Sequence, residues 1–390
     1  MKKSTLLLLF LCLTTLSIAQ NHNKIIAIDN FLLHNIPNEG WVVHDIKDPA
    51  SPTFRGFLKV EGSTDAVIRN GILYTQNQND LVGISVGDNF ENVEEPNRKR
   101  IKDLFENGNG RGSQDEIKFY PAQGTKGSRS SKKTLIASSD TEDIDEFLKK
   151  YAPAISLNGT QGNSVQGSMS RFALSENTLF AIDKNNLHIV ELDKKTLKKA
   201  EKSIRVSSDA TIETAFVSYN RLFIGAKDAL YILGISNLNR LEEPQKFSHE
   251  RSCDPVVATR DYAYITLNAE GECEGQDSRL EIVSLKNGIS GAVLSNFIPL
   301  DAPRGLALSS SEQFLFICDR NKLKVFDILN PREPKEKYSS SLIDAYDVLI
   351  HEEKLIVVGK NREGQTKIQI FDEKLAEKNR FKLLGEIIGN

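Results

Sequence analysis

The chain has 390 residues, 39% hydrophobic and 26% charged, with a formal net charge of −3. That composition can fill a packed core, and its slight acidity argues against nucleic acid or an anionic membrane surface as the main partner. No stretch after the first twenty residues is apolar enough to predict a transmembrane segment.

The N-terminus begins Met1-Lys2-Lys3, continues through an apolar run from Leu6 to Leu13, and reaches Ser17-Ile18-Ala19 before Gln20. A basic start, a short apolar run and small residues before the cleavage point predict a signal peptide over residues 1–19. The run falls well short of the roughly 20 residues a membrane helix needs. Export to the periplasm or the outside follows. Phe10 and Leu11 precede Cys12 where a lipidation site would need small residues, so no lipid anchor is expected. The 50 basic residues less Lys2 and Lys3, set against 53 acidic ones, leave the mature chain at −5. Its three cysteines, Cys253, Cys273 and Cys318, allow at most one internal bridge.

From Lys24 onward one unit recurs: an apolar alternation, a tight turn, a run such as Leu-Tyr or Leu-Phe, a polar loop, a second apolar run and a short amphipathic one. Period-two alternation broken by Asn, Asp and Gly predicts four short strands, a to d. The first copy, the weakest, has Ile25 to Ile28, Phe31 to Leu33 and Trp41 to Ile46. The second has Ala66-Val67, Ile72 to Tyr74 and Leu81 to Val86, and five more begin near Arg171, Thr214, Asp254, Gly305 and Asp347. The steps Lys24 to Asp65, Arg171 to Thr214 and Gly305 to Asp347 are 41, 43 and 42 residues. Turns such as Asp48-Pro49-Ala50-Ser51-Pro52 and Asn330-Pro331-Arg332-Glu333-Pro334 suit exposed links from strand c to strand d, because proline has no N–H to give a central strand.

One step is far too long. Asp65 to Arg171 spans 106 residues, so about 60 residues, assigned to 106–166, are inserted between the second and third units. Their Gly, Ser and Lys content predicts a mostly disordered loop, with order best sought at Leu135-Ile136-Ala137 and in a short helix from Thr141 to Lys150. Asn158-Gly159-Thr160 fits a glycosylation sequon and is taken as coincidental.

Seven units of about forty residues predict an all-β, seven-bladed β-propeller with one long insertion, residues 20–390 forming one domain; closure with six or eight blades is the alternative. The segments Gly167 to Ala173, Ile212-Glu213-Thr214, Phe247 to Val257, Leu315 to Asp319 and Ile343 to Val348 resemble the LVIVD-repeat family of exported bacterial β-propellers. The resemblance implies fold and compartment, and brings no activity or catalytic residue. Many members are surface lipoproteins, from which this chain departs at Cys12.

In such a ring, strand a begins and strand b ends on one face, so the d-to-a links and b-to-c loops share a rim around the channel. Asp65, Arg171, Glu213, Asp254, Arg304 and Asp347, with Lys24 and Thr214, fall at equivalent positions there. They could line a mouth for a polar ligand, or hold a cation on Asp65, Asp254 and Asp347; Asp254 could also join a calcium site with loop carbonyls. The favoured reading is structural: Arg171 pairs with Asp65 or Glu213, and Arg304 with Asp254 or Asp347, to keep blades in register. His249 and Arg251, beside Asp254, form the densest polar cluster, and His249 is the one candidate for a catalytic base. No nucleophile motif accompanies it. Cys253 and Cys273 are expected to bridge, closing a loop of about 20 residues that stabilises by about 3 kcal/mol in the chain-entropy view. Cys318, alternating with Phe314 and Phe316, is expected to be buried and inert. No metal motif occurs and no cofactor is predicted.

The function these features favour is a monomeric, non-enzymatic binding protein engaging a protein or glycan at the cell envelope. A propeller hydrolase or lyase acting on a sugar or ester, and a structural component of an envelope assembly, are the alternatives.

Overall fold

The structure is a computed structural model that describes residues 23–87, 90, 99–106, 117–122, 164–192, 197–207, 211–249, 255–270, 277–341 and 343–389. In chain order, β1 (Ile25–Ile28), β2 (Phe31–Ile36), β3 (Gly40–Asp45) and β4 (Thr53–Val60) form blade 1; β5 (Ala66–Arg69), β6 (Ile72–Asn77), β7 (Asp80–Ser85) and β8 (Arg100–Ile101) form blade 2. Two strands, β9 (Ile117–Pro121) and β10 (Val165–Gln166), come from the insertion. Blade 3 has β11 (Phe172–Ser175), β12 (Thr178–Asp183), β13 (Asn186–Leu192) and β14 (Leu197–Arg205); blade 4 has β15 (Ile212–Ser218), β16 (Arg221–Ala226), β17 (Ala229–Gly234) and β18 (Gln245–Ser248). Blade 5 has β19 (Val256–Ala258), β20 (Tyr262–Leu267), β21 (Arg279–Ser284) and β22 (Val293–Pro299); blade 6 has β23 (Pro303–Leu308), β24 (Phe314–Asp319), β25 (Lys322–Asp327) and β26 (Lys335–Ser341). Blade 7 closes the chain with β27 (Asp344–His351), β28 (Lys354–Lys360), β29 (Thr366–Asp372) and β30 (Leu383–Gly389).

Both faces of each blade are apolar, and the alternation sorts them. In β1, Ile26 and Ile28 pack with Ala66, Leu73 and Val82 of blade 2, while Ile25 and Ala27 pack with Tyr346, Ile356 and Ile368 of blade 7. Five further clusters fill the remaining seams, such as Phe172 against Tyr74 and Phe326 against Tyr264. Seven seams for seven blades settle the count. Residues on alternate faces bury completely because each sheet is covered on both sides.

A single backbone bond repeats in every blade. The last residue of strand c or the one after it donates to the turn between strands a and b: Ile46 to Asn30, Val86 to Gly71, Leu192 to Asn177, Ile235 to Asn220, Leu285 to Asp261, Ile328 to Gln313 and Glu373 to Glu353. It anchors the exit of strand c, from which the proline-bearing turns lead to strand d. Glu373 opens a short helix, Glu373–Ala376, capped by the Asp372 carboxylate accepting from Leu375 N–H at 2.9 Å.

The ring closes without strand exchange. All four strands of blade 1 come from its own N-terminal segment, and all four of blade 7 from the C-terminal one. The seam between them is held by side-chain packing and by His351 Nε2, 2.7 Å from the Asp29 carbonyl.

The insertion departs from its expected character at two places. Ile117–Pro121 pairs with β4, adding an outer strand to blade 1, and Val165–Gln166 pairs with β1, adding an inner one. Leu135 to Ala137, the helix expected over Thr141 to Lys150, Asn158, Cys12 and the signal peptide lie outside the described residues.

Candidate functional site

Strands a of all blades line the channel, and their starts mark one face, here the upper one, which also carries the b-to-c turns. β9 runs antiparallel to β4, from Ile117 beside Val60 to Pro121 beside Gly56, so Ala122 leaves blade 1 toward the lower face. Ser164 lies against Ile68 near the lower end of β5, its N–H donating to Ile68 O at 2.8 Å and its hydroxyl accepting from Ile68 N–H at 2.7 Å. From there β10 climbs antiparallel to β1, and Gly167 to Arg171 continue to the upper end before β11 begins. The chain threads its own channel.

The thread meets the inner strands of five blades. Gly167 N–H donates to Ile25 O in blade 1 at 3.3 Å, and Ser170 O accepts from Ala215 N–H in blade 4 at 2.8 Å. Ser168 Oγ accepts from Leu306 N–H in blade 6 at 2.9 Å and donates to Asp347 Oδ1 in blade 7 at 3.1 Å. Ser170 Oγ lies 2.9 Å from Asp65 Oδ1 at the start of blade 2, and Arg171 N–H donates to Asp65 Oδ2 at 2.6 Å. Small residues are required: a Cβ at Gly167 would collide with the Asp347 carboxylate, as would one at Gly305.

Four of the predicted rim residues, Asp65, Arg171, Glu213 and Asp347, are buried, together with Lys24 and Thr214. Lys24 ties the group together. Its Nζ donates to Met169 O at 2.5 Å, and its ammonium interacts with Asp65, Asp347, Arg171 and Glu213. Burial lowers the Lys24 pKa against the pull of those carboxylates, and burial raises that of Asp65 against Lys24 and Arg171. Burial pushes Asp347 up to about 6, opposed by Lys24 and by hydrogen bonds from Val348 and Met169 N–H and the Ser168 hydroxyl. The Arg171 guanidinium bonds Thr64 Oγ1 at 2.6 Å and Gln76 Oε1 at 3.1 Å, so its backbone rather than its charge holds Asp65 directly.

The other candidates stand apart from this cluster. Arg304 pairs with the exposed Asp344 at 2.9 Å, where Asp254 or Asp347 had been the expected partner. His249 follows β18, three strands outward from the β15 that carries Glu213, and its N–H donates to Asp228 O at 3.3 Å. Arg251, Cys253, Asp254 and Cys273 lie outside the described residues, and with them the expected disulfide and the third carboxylate of the cation reading. Among the described residues no three His, Cys, Asp or Glu side chains form a metal-binding group. Cys318 is fully buried, and burial raises its thiol pKa.

Sequence reasoning missed Ser164, Gly167, Ser168 and Ser170 as channel residues. The one signal was their size: a run of glycine and serines just before an inner strand suits a narrow passage.

In blade 6, residues 307–341, from β23 through β26, match the LVIVD repeat model. The chain carries an LVIVD repeat. A search of curated proteins by sequence finds no match. Among solved structures, this LVIVD-repeat chain is similar to a protein from Lactobacillus plantarum at 11% identity and a TM-score of 0.58, covering 94% of this chain and 97% of that one. It is also similar to a Bacteroides fragilis protein provisionally assigned as a 6-phosphogluconolactonase, at 9% identity and a TM-score of 0.53, covering 96% and 100%. At such identities the likeness shows the propeller fold alone.

Proposed function

We propose that this LVIVD-repeat propeller is exported and acts as a rigid, non-enzymatic scaffold that engages a protein or glycan partner at the cell envelope. The observation that carries this reading is the occupied channel. Propellers offer small molecules the mouth of the central passage, and here the chain's own Gly167 to Arg171 fills it, with Asp65 and Asp347 already bonded to that segment. The remaining surface is the two faces and the outer strands. On blade 5, Val293, Leu294 and Phe297 of β22 stand exposed, and Asn296 Nδ2 donates to Arg332 O at 2.9 Å, which sets this strand beside the blade 6 link that exposes Leu329. Exposed apolar side chains clustered on one rigid edge favour macromolecular contact. Export is supported by the basic start, apolar run and Ser17-Ile18-Ala19 of the N-terminus.

The test places a photo-crosslinking residue at Phe297 and, separately, at Asp344 in the protein expressed in its own cell. The proposal expects a mature chain beginning at Gln20 and one discrete adduct from at least one position. An uncleaved cytoplasmic chain would overturn export. Turnover of a sugar or ester substrate abolished by His249→Ala would overturn the non-enzymatic reading.

A further inference from the structure

The excursion that fills the channel is topologically superfluous to the propeller. Phe105, at the end of blade 2, stacks on Phe172, at the start of blade 3, with ring centroids 5.8 Å apart and planes at 16°. Glu106 N–H already donates to Asp183 Oδ2, at the end of β12 in blade 3, at 2.6 Å. The chain therefore leaves for the channel and returns to the place where it left, and the link from blade 2 to blade 3 could be a few residues long.

Within the channel the segment is held as a ligand would be. Its backbone adds to the inner strand of blade 1 in antiparallel register, Gln166 opposite Ile26 and Val165 opposite Ala27. That is strand addition, the mode by which sheets recognise extended peptides. Its hydroxyls meet two buried carboxylates that belong to the ring, Asp347 and Asp65, and its Met169 carbonyl meets the Lys24 ammonium. Leu306 and Ala215, in blades 6 and 4, give it their N–H groups. A ring without this segment would carry carboxylates, an ammonium and inner-strand N–H groups aimed into an open passage, each needing a partner.

We propose that the channel is a binding site for an extended peptide of small and hydroxyl-bearing residues, which the chain fills in cis with Ser164–Arg171, and which accepts such a segment from another polypeptide when its own is withdrawn. The tether supplies a high effective concentration, so the internal segment wins by default. This inference shares the occupied channel with the reading above, but it does not need an envelope partner: loss of the crosslinked adduct would leave it standing, and failure of peptide binding would leave the envelope reading standing.

The experiment replaces residues 107–170 by a six-residue Gly-Ser linker and offers the protein a fluorescent peptide of residues 163–170, Asn-Ser-Val-Gln-Gly-Ser-Met-Ser, the chain keeping its own Arg171. Polarisation should show binding to the excised chain and none to the whole chain. A peptide carrying Gly167→Val should not bind, and one carrying Ser168→Ala should bind about tenfold more weakly, the scale of one lost hydrogen bond to a charged group. A folded excised chain that ignores the peptide overturns the proposal, and so does a whole chain that binds it equally well. If the excised chain is unfolded alone, refolding it with excess peptide decides the matter: recovery of the native β-sheet spectrum supports the site, and failure to recover it overturns the site.

Discussion

Asp347, on the inner strand of blade 7, accepts a hydrogen bond from Ser168 at 3.1 Å, across 179 residues of sequence. Ser168 passes the contact on by accepting from Leu306 N–H, so one hydroxyl links blades 6 and 7 to a segment that belongs between blades 2 and 3. Ring closure in this propeller thus rests on seam packing and on an axle through the middle, where no strand is exchanged between first and last blades.

Asp347 and the histidine pair should give the stability profile two opposing acid-side terms. Asp347, raised by burial from 3.8 to about 6, takes up its proton in the folded chain before the unfolded one does. Its ionisation therefore costs stability as pH rises from about 4 to about 6, a cost largest at neutral pH. Asp347→Asn should remove that term, so that melting temperature no longer gains from this group on acidification. Thermal melts of both proteins between pH 4 and 7 measure the difference.

His34 and His44 act with the opposite sign. They stack at the seam of blades 1 and 7 with ring centroids 5.6 Å apart, and the Nδ1 of each is buried without a hydrogen-bond partner. Burial lowers His34 to about 4, helped by Lys360, and His44 to about 3, helped by His34. Neutral in the fold, they contribute stability that is complete above the unfolded value near 6.5 and lost as pH falls toward 4 and below. His44→Leu should flatten that loss between pH 6.5 and 4, read in the same melts. A variant that loses stability on acidification as steeply as the parent would contradict the assignment.

The blades were legible in the sequence because each needs only local information: alternation, a turn and a second run. Ile72-Leu73-Tyr74 and Leu315-Phe316-Ile317 announce strands whatever lies elsewhere. The thread was not legible. Val165-Gln166 is a strand of two residues, and it exists only because β1, far away in sequence, offers an edge. Ile117-Lys118-Phe119-Tyr120-Pro121 has strand character, but the Gly, Ser and Lys around it spoke for a loop. Of the charged positions that the repeat sets around the channel, Asp65, Arg171, Glu213 and Asp347 are buried in the structure, while Arg304 pairs with the exposed Asp344 and His249 follows an outer strand. The burial of those four was not foreseen, because what covers them is the thread.

Trp41, the single tryptophan, reports on the seam between blades 1 and 2. Its indole N–H donates to Ser63 Oγ at 2.7 Å, which lies 2.6 Å from Thr75 Oγ1, and Thr75 donates to Asp65 O at 2.7 Å. Ser63→Ala leaves a buried N–H and a hydroxyl short of partners and should cost about 1–3 kcal/mol. Denaturant titration followed by tryptophan fluorescence gives the value, and a loss under about 0.3 kcal/mol would disprove the relay.

The turn between β27 and β28 offers a gain. Glu352 and Glu353 both adopt the left-handed region, with φ of 46° and 61°, as a type I′ hairpin requires, yet glutamate is a poor residue for it. Replacing the pair by Asn-Gly should stabilise by about 1 kcal/mol, the scale of the left-handed penalty. The exposed ion pairs lost with Lys354 and Lys374 are worth little against that. Equilibrium unfolding of the double variant measures the gain, and no gain would place the cost of this turn elsewhere.

The most direct test of the threaded channel is amide hydrogen exchange, resolved by residue, at Ile68, Ala215 and Leu306. Each of these inner-strand amides donates to the thread, to Ser164 Oγ, Ser170 O and Ser168 Oγ respectively. Protection comparable to that of the central-strand amides Leu73, Phe223 and Phe316 is expected at all three. Exchange of all three within seconds, beside protected central strands, would show an open channel and contradict the thread.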